Sequence, residues 1–93
     1  MIIGWASKET EKVYKGDYSK QYPFEIQKKA RQKLIMLASA TESGDLRVPP
    51  GNRLHKLSGN REGQYSISIN DQWRICFLWS QANVKDVEIV DYH

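Results

Sequence analysis

The 93-residue chain has one cysteine, Cys76, two histidines and three prolines. A single cysteine excludes an internal disulfide and a cysteine-rich zinc site, and it fits a reducing cytoplasm. His55 and His93 are far apart and lack any zinc-ligand spacing, so no metal is expected. No glycine-rich phosphate loop of the P-loop or dinucleotide type is present, and no cofactor is implied. No apolar run approaches the length of a membrane span. Met1-Ile2-Ile3-Gly4-Trp5 lacks the basic region and apolar stretch of a signal peptide. Repeats, low-complexity tracts and internal boundaries are also missing, so one domain spanning 1–93 is expected. The excess of basic charge is small, +3 with a pI near 9.1. That balance permits a nucleic-acid or acidic-protein partner without demanding one.

What is present is a strongly patterned stretch from Gly63 to Trp79. Tyr65, Ile67 and Ile69 alternate with Ser66 and Ser68. After Asn70-Asp71-Gln72, Trp73, Ile75, Phe77 and Trp79 alternate with Arg74, Cys76 and Leu78. Alternation on both sides of a turn-rich break predicts an antiparallel hairpin with one buried face. A two-residue loop would pair Ile67 with Arg74 and put polar groups on the apolar face. A three-residue loop pairs Ile69 with Trp73, Ile67 with Ile75 and Tyr65 with Phe77, and directly paired residues share a face. The three-residue loop places Arg74 on an exposed serine face and leaves Cys76 as a small side chain in the sheet.

Around the hairpin, Ile2, Ile3 and Trp5 predict a short first strand. Ser7 reads as an N-cap, with Glu9 and Glu11 in the first turn and Gly16 as the stop of a surface helix over about 8–15. Asp17 to Tyr22 is polar and without clear period, the composition of a mobile connection. Pro23 to Ser39 predicts the main helix. Ile26, Ala30, Leu34, Leu37 and Ala38 form its apolar stripe, and Lys28, Lys29, Gln32 and Lys33 lie mostly opposite. That basic face suits a phosphate or an acidic partner, although lysine-rich outer faces are commonly only solvated. Asp45-Leu46-Arg47 suggests a brief turn and Pro49-Pro50-Gly51 a loop. Arg53 to Leu57 reads as a strand, Ser58 to Gly63 as a turn, and Val84 to His93 as a last strand with Val87 and Ile89 inward. The order β-α-α-β-β-β-β indicates an α+β fold, with helices on one face of an antiparallel-rich sheet.

The chemistry on offer is a histidine, arginine, lysine, aspartate and tyrosine surface. Such a surface could cleave RNA through its own 2′-hydroxyl. A base removes the 2′ proton, cations stabilise charge on the phosphate, and an acid protonates the leaving oxygen. Arginine matches phosphate geometry and is charged at any working pH. A strand histidine is nevertheless more often a packing or hydrogen-bonding group. Composition and spacing stop at a small α+β domain with one polar, partly basic sheet face.

The stretch RLHKLSGNREGQYSISINDQWRICFLW, followed by a terminal VEIVDYH, resembles the HigB branch of the RelE/ParE toxin superfamily. The resemblance is strongest from Arg53 to His93. It implies a RelE-like fold and a type II toxin that acts as a ribosome-dependent mRNA endonuclease. It also implies a helix-turn-helix, HigA-like antitoxin and operator DNA bound through the toxin–antitoxin complex. The implied catalytic surface comprises His55, Arg74, Asp91, Tyr92 and His93. Where the family pattern can carry a lysine three residues after the first histidine, this chain has Ser58. Arg53, on the face of His55, and Arg61, if its loop folds inward, are the candidate RNA-binding substitutes. Lys56 also belongs to the basic set but would point to the opposite face of an ideal strand. Two rivals remain on sequence grounds: a ParE-like gyrase inhibitor, and a non-catalytic binding module of the same fold.

Overall fold

The apolar stripe of the main helix and the apolar face of the hairpin meet to form the core. In the computed structural model, which describes residues 1–91, two helices pack on a four-stranded antiparallel sheet. Helix α1 is Lys8–Tyr14 and α2 is Phe24–Ser39. The strands β1, His55–Lys56, β2, Gln64–Ser68, β3, Trp73–Ser80, and β4, Asn83–Asp91, lie in sequential order across the sheet. Between α2 and β1 the chain makes two 3-10 turns, Ser43–Arg47 and Pro50–Asn52. Ile26, Ala30, Leu34 and Leu37 of α2 are buried with Ile67, Ile75, Phe77, Val84, Val87 and Ile89 of the sheet.

The hairpin register is the one that the alternation predicts. Tyr65 pairs with Phe77, Ile67 with Ile75 and Ser68 with Arg74, and Ile69 N–H donates to the Trp73 carbonyl at 2.8 Å. Asn70 shapes the loop by accepting from the amides of Gln72 and Trp73, each at 2.8 Å. In β4, the three-residue step from Val84 to Val87 departs from strict alternation, yet both are buried. A register shift opposite Cys76–Leu78 absorbs the extra residue, and Asp86 takes a positive φ of 55° there.

The cap signals of α1 hold. The Ser7 hydroxyl accepts from Thr10 N at 3.2 Å. Gly16, at φ 89°, ends the helix in a Schellman arrangement, with Gly16 N bonded to Val13 O and Asp17 N to Lys12 O. The helix is less superficial than expected, because Thr10 and Val13 are buried and the Thr10 hydroxyl accepts from Ile89 N at 3.0 Å.

Four expectations need correction. The predicted first strand is only two parallel bridges, Ile2 to Val84 and Trp5 to Val87, because the positive-φ bulge at Asp86 interrupts the ladder between them. Asp17 to Tyr22 is pinned rather than loose. Gln27 exchanges hydrogen bonds with the Ser19 backbone at 3.0 and 2.7 Å, and the Tyr22 hydroxyl meets Thr10 at 2.9 Å. Pro23 precedes α2 as its N-cap instead of occupying its first turn. Lys33 does not join the basic face. It lies three residues after Ala30 and four before Leu37, which puts it on the flank of the stripe. It is buried, and its ammonium donates to Asn52 Oδ1 at 2.5 Å. Desolvation, with a further push from Lys29, holds its pKa below the ordinary lysine value.

Leu34 is fully buried whereas Ile35 is 44% exposed. Leu34→Ala should therefore cost about 2–5 kcal/mol in denaturant unfolding, and Ile35→Ala no more than about 0.5 kcal/mol. Equal losses would contradict this packing. Asp45 Oδ2 accepts from the amides of Glu42 and Thr41, both at 3.1 Å, and from the Thr41 hydroxyl at 3.2 Å. These bonds favour the charged form and lower its pKa. A depressed carboxyl contributes stability above its unfolded value and loses it as pH falls through the folded value. In an NMR titration the Thr41 and Glu42 amides should shift together, with a midpoint below that of an ordinary aspartate. A midpoint at or above it would remove the cap from the account.

Candidate active site

Strand pairing builds the site face by rows. His55 of β1 pairs with Ser66 of β2, Ser66 with Cys76 of β3, and Cys76 with Glu88 of β4. Directly paired residues share a face, so these four form one row across the sheet on the side away from Ile67 and Ile75. The next row is Ser68, Arg74 and Val90.

Arg74 lies on this serine face, as the register requires, but it is not exposed. Only 7% of its surface meets solvent. Its Nε donates to Ser66 Oγ at 2.8 Å, and Nη2 donates to the carbonyls of Arg53 at 2.5 Å and Ser66 at 3.3 Å. The expectation of an exposed arginine failed because alternation fixes a face and says nothing of what covers it. Here the cover includes the loop before β1. A guanidinium with this many bonds is held in one plane, which suits directional recognition of an oxyanion.

Arg53 also departs from expectation. It was expected to share a strand face with His55, but it precedes β1 and takes the left-handed conformation, φ 46° and ψ 57°. That conformation costs a non-glycine residue about 1–2 kcal/mol. It turns the Arg53 carbonyl toward Arg74, while the exposed side chain forms a 3.7 Å ion pair with Asp71 of the hairpin loop. Such an exposed pair is worth little by itself.

The loop carrying Arg61 does fold toward the sheet. Arg61 Nη2 bonds Glu88 Oε1 at 3.0 Å and Nη1 bonds Gln64 Oε1 at 3.1 Å. A third 3-10 turn, Gly59–Arg61, delivers it there. His55, Lys56, Leu57, Ser58, Asn60 and Arg61 line an open recess of about 230 Å³ beside the row. Lys56 pairs with Tyr65, which puts it on the opposite face, as expected. Cys76 is fully buried. Burial raises its thiol pKa against the opposing influence of Arg61, so it behaves as a packed small side chain rather than a nucleophile.

Asp91 pairs with Trp73 and not with Arg74. It therefore belongs to the row on the other face, where Gln72 Nε2 donates to its Oδ2 at 3.1 Å. The structure thus brings together His55, Arg74 and Arg61 on one face, and sets Asp91 apart by register. Tyr92 and His93 lie outside the described residues. Ser66 and Glu88 were not singled out as site residues from the sequence. Both were reachable, because the predicted register puts Ser66 diagonal to Arg74, and the last strand carries Glu88 next to the inward pair.

No helix among the described residues is long and apolar enough to cross a membrane. A family model for the RelE-like toxin of the type II toxin–antitoxin system HigB matches residues 4–93. The chain is 38% identical over 80 residues to Toxin HigB-1 of Vibrio cholerae, covering 85% of this chain and 84% of that one. It is 28% identical over 93 residues to Endoribonuclease HigB of Proteus vulgaris, covering all of both chains. Among solved structures, the YoeB–YefM toxin–antitoxin complex of Staphylococcus aureus contains a chain that superposes with a TM-score of 0.62 at 22% identity. That match covers 100% of this chain and 95% of the other and bears on the fold alone. Taken with the fold and the polar row, the match over nearly the whole sequence settles the family: the chain belongs to the HigB-like toxins, RelE-like members of type II toxin–antitoxin systems.

Proposed function

We propose that this chain is an endoribonuclease that cuts messenger RNA on the ribosome, through attack of the message's own 2′-hydroxyl. The observation that carries the reading is Arg74, a permanent cation bonded in place on the same sheet face as His55. The name of the Proteus relative supports it.

In this reading a base takes the 2′ proton and the 2′ oxygen bonds to phosphorus. The bond from phosphorus to the 5′ oxygen breaks, and an acid returns a proton to that oxygen. Arg74 stabilises the charge gathered on the phosphate. His55 and His93 are the proton-transfer groups. Asp91, set by its register on the face opposite His55, is assigned to His93, two positions along the chain, and Tyr92 holds a base by stacking. Arg61 and Lys56 add positive charge around the recess and Arg53 adds it beside the hairpin loop, and phosphate contacts of this kind are weakened by salt. A HigA-like helix-turn-helix antitoxin restrains the toxin, and the pair binds operator DNA. The working compartment is the cytoplasm.

Arg74→Ala and His93→Ala should each remove most growth arrest, and each protein should still fold and bind antitoxin. His55→Ala should slow cleavage about 100-fold or more if it is a proton-transfer group. Mapping message ends after induction, with and without ribosomes, checks all three. Full toxicity in both Arg74→Ala and His93→Ala would discard the site. New ends that appear equally without ribosomes would discard the ribosomal step. Ser58 lines the recess where a lysine can occur in the family pattern. Ser58→Lys is expected to increase cleavage of ribosome-bound message, and an unchanged rate would show that this position lies off the phosphate path.

A further inference from the structure

The buried pair formed by Lys33 and Asn52 does nothing in the mechanism above, yet it connects with it. Asn52, the last residue of the second 3-10 turn, is fully buried, with its side chain between the first turn and α2. Its Oδ1 accepts from Lys33, and its Nδ2 donates to the Leu46 carbonyl at 3.0 Å and faces the Val48 carbonyl at 3.4 Å and Met36 Sδ at 3.1 Å. An ammonium offers only donors, so Lys33 requires the oxygen of the amide and thereby aims the amide nitrogen at the two carbonyls. One side chain thus staples α2 to the loop that runs from Ser43 to Arg53.

The backbone of that loop closes on the next residue. Asn52 N bonds Pro49 O at 2.9 Å and Arg53 N bonds Pro50 O at 3.1 Å, which sets the left-handed turn at Arg53. The Arg53 carbonyl receives Arg74 Nη2. Among the described residues the guanidinium is therefore held by anchors of two different kinds. Ser66 sits on a neighbouring strand, and the Arg53 carbonyl sits on a loop whose position depends on the staple.

We propose that Asn52, oriented by Lys33, is a positioning residue for Arg74. It fixes the Arg53 carbonyl that holds the guanidinium plane. The inference deepens the reading of Arg74 as the phosphate-binding group and rests on it. An apolar residue at 33 would bury an equal stem without a desolvated charge. What it could not do is choose the orientation of the Asn52 amide.

The test uses the purified full chain with Lys33→Met and Asn52→Asp, each checked for its melt and for antitoxin binding. On programmed ribosomes kcat should fall about tenfold or more with KM within about twofold, since small misplacement of a transition-state group is costly. The loss should largely vanish in an Arg74→Lys background, because coupled residues are not additive. A second readout needs no ribosome. The Nε–H resonance of Arg74, assigned by its absence in Arg74→Lys, should exchange with solvent faster in both variants than in the parent chain.

Folded variants with parental Nε–H exchange would overturn the proposal, as would losses fully additive with Arg74→Lys. If one variant does not fold, the other carries both measurements. If Arg74→Lys itself cleaves at the parental rate, the functional reading fails, and the exchange experiment still decides whether the staple positions the guanidinium.

Discussion

Burying a guanidinium is the constraint on which the rest of this structure turns. A cation taken from water must be met by acceptors, or the fold loses more than the packing gains. Arg74 stands on a central strand, near the hairpin end of the sheet, with 7% of its surface exposed. Ser66 meets it from the adjacent strand and the Arg53 carbonyl from the loop, with lengths of 2.8 and 2.5 Å to the nearest atoms. Both contacts depend on the pairing of Ile67 with Ile75. A slip of one residue would turn Arg74 into the face where α2 packs, and would turn the isoleucines out to meet solvent. The apolar core and the charged face are thus two consequences of a single register.

That register was legible because it is local. Alternation over seventeen positions rejects the two-residue loop, which would put polar groups among the isoleucines, and a three-residue loop keeps them on one face. The Ser7 cap and the Gly16 stop were legible for the same reason, since each signal sits within a few residues of what it specifies. Lys33 departs from the expected basic face because a residue between Ala30 and Leu37 on a helix belongs near the stripe whatever its charge. Arg53 departs from the expected strand face because strand parity does not hold beyond the end of β1, which is only two residues long. No local signal marks that end, which is set by hydrogen bonds to Pro50 and Arg74. The cover over Arg74 was illegible for a deeper reason. It comes from a loop some twenty residues away, and loop paths depend on contacts rather than on pattern. Asp91 was grouped with Arg74 by the family resemblance, whereas pairing with Trp73 sets it in the row on the other face.

The comparisons and the geometry support different parts of the conclusion. A fold match at 22% identity establishes the arrangement of helices and strands, and folds of this kind serve more than one chemistry. The family match rests on sequence over residues 4–93. The geometry adds a face on which His55, Ser66, Cys76 and Glu88 form a row, flanked by one arginine bonded to serine and carbonyl oxygens and another bonded to a carboxylate. The basic face of α2 is smaller than the sequence suggested, because Lys33 left it for the interior. Lys28, Lys29 and Gln32 remain exposed.

The bridges that tie Ile2 and Trp5 to β4 have a consequence for the order of folding. Met1 donates to the Ala82 carbonyl across 81 positions, and Ile89 donates to the Thr10 hydroxyl across 79. During synthesis the residues from Met1 to Thr10 emerge long before those they will bond to. The hairpin can close early, since its partners are close in sequence, but the outer border of β4 must wait. Contacts that span so much chain carry the largest loop-closure cost and form late. The border of β4 that faces away from β3 is therefore closed by contacts that span nearly the whole chain.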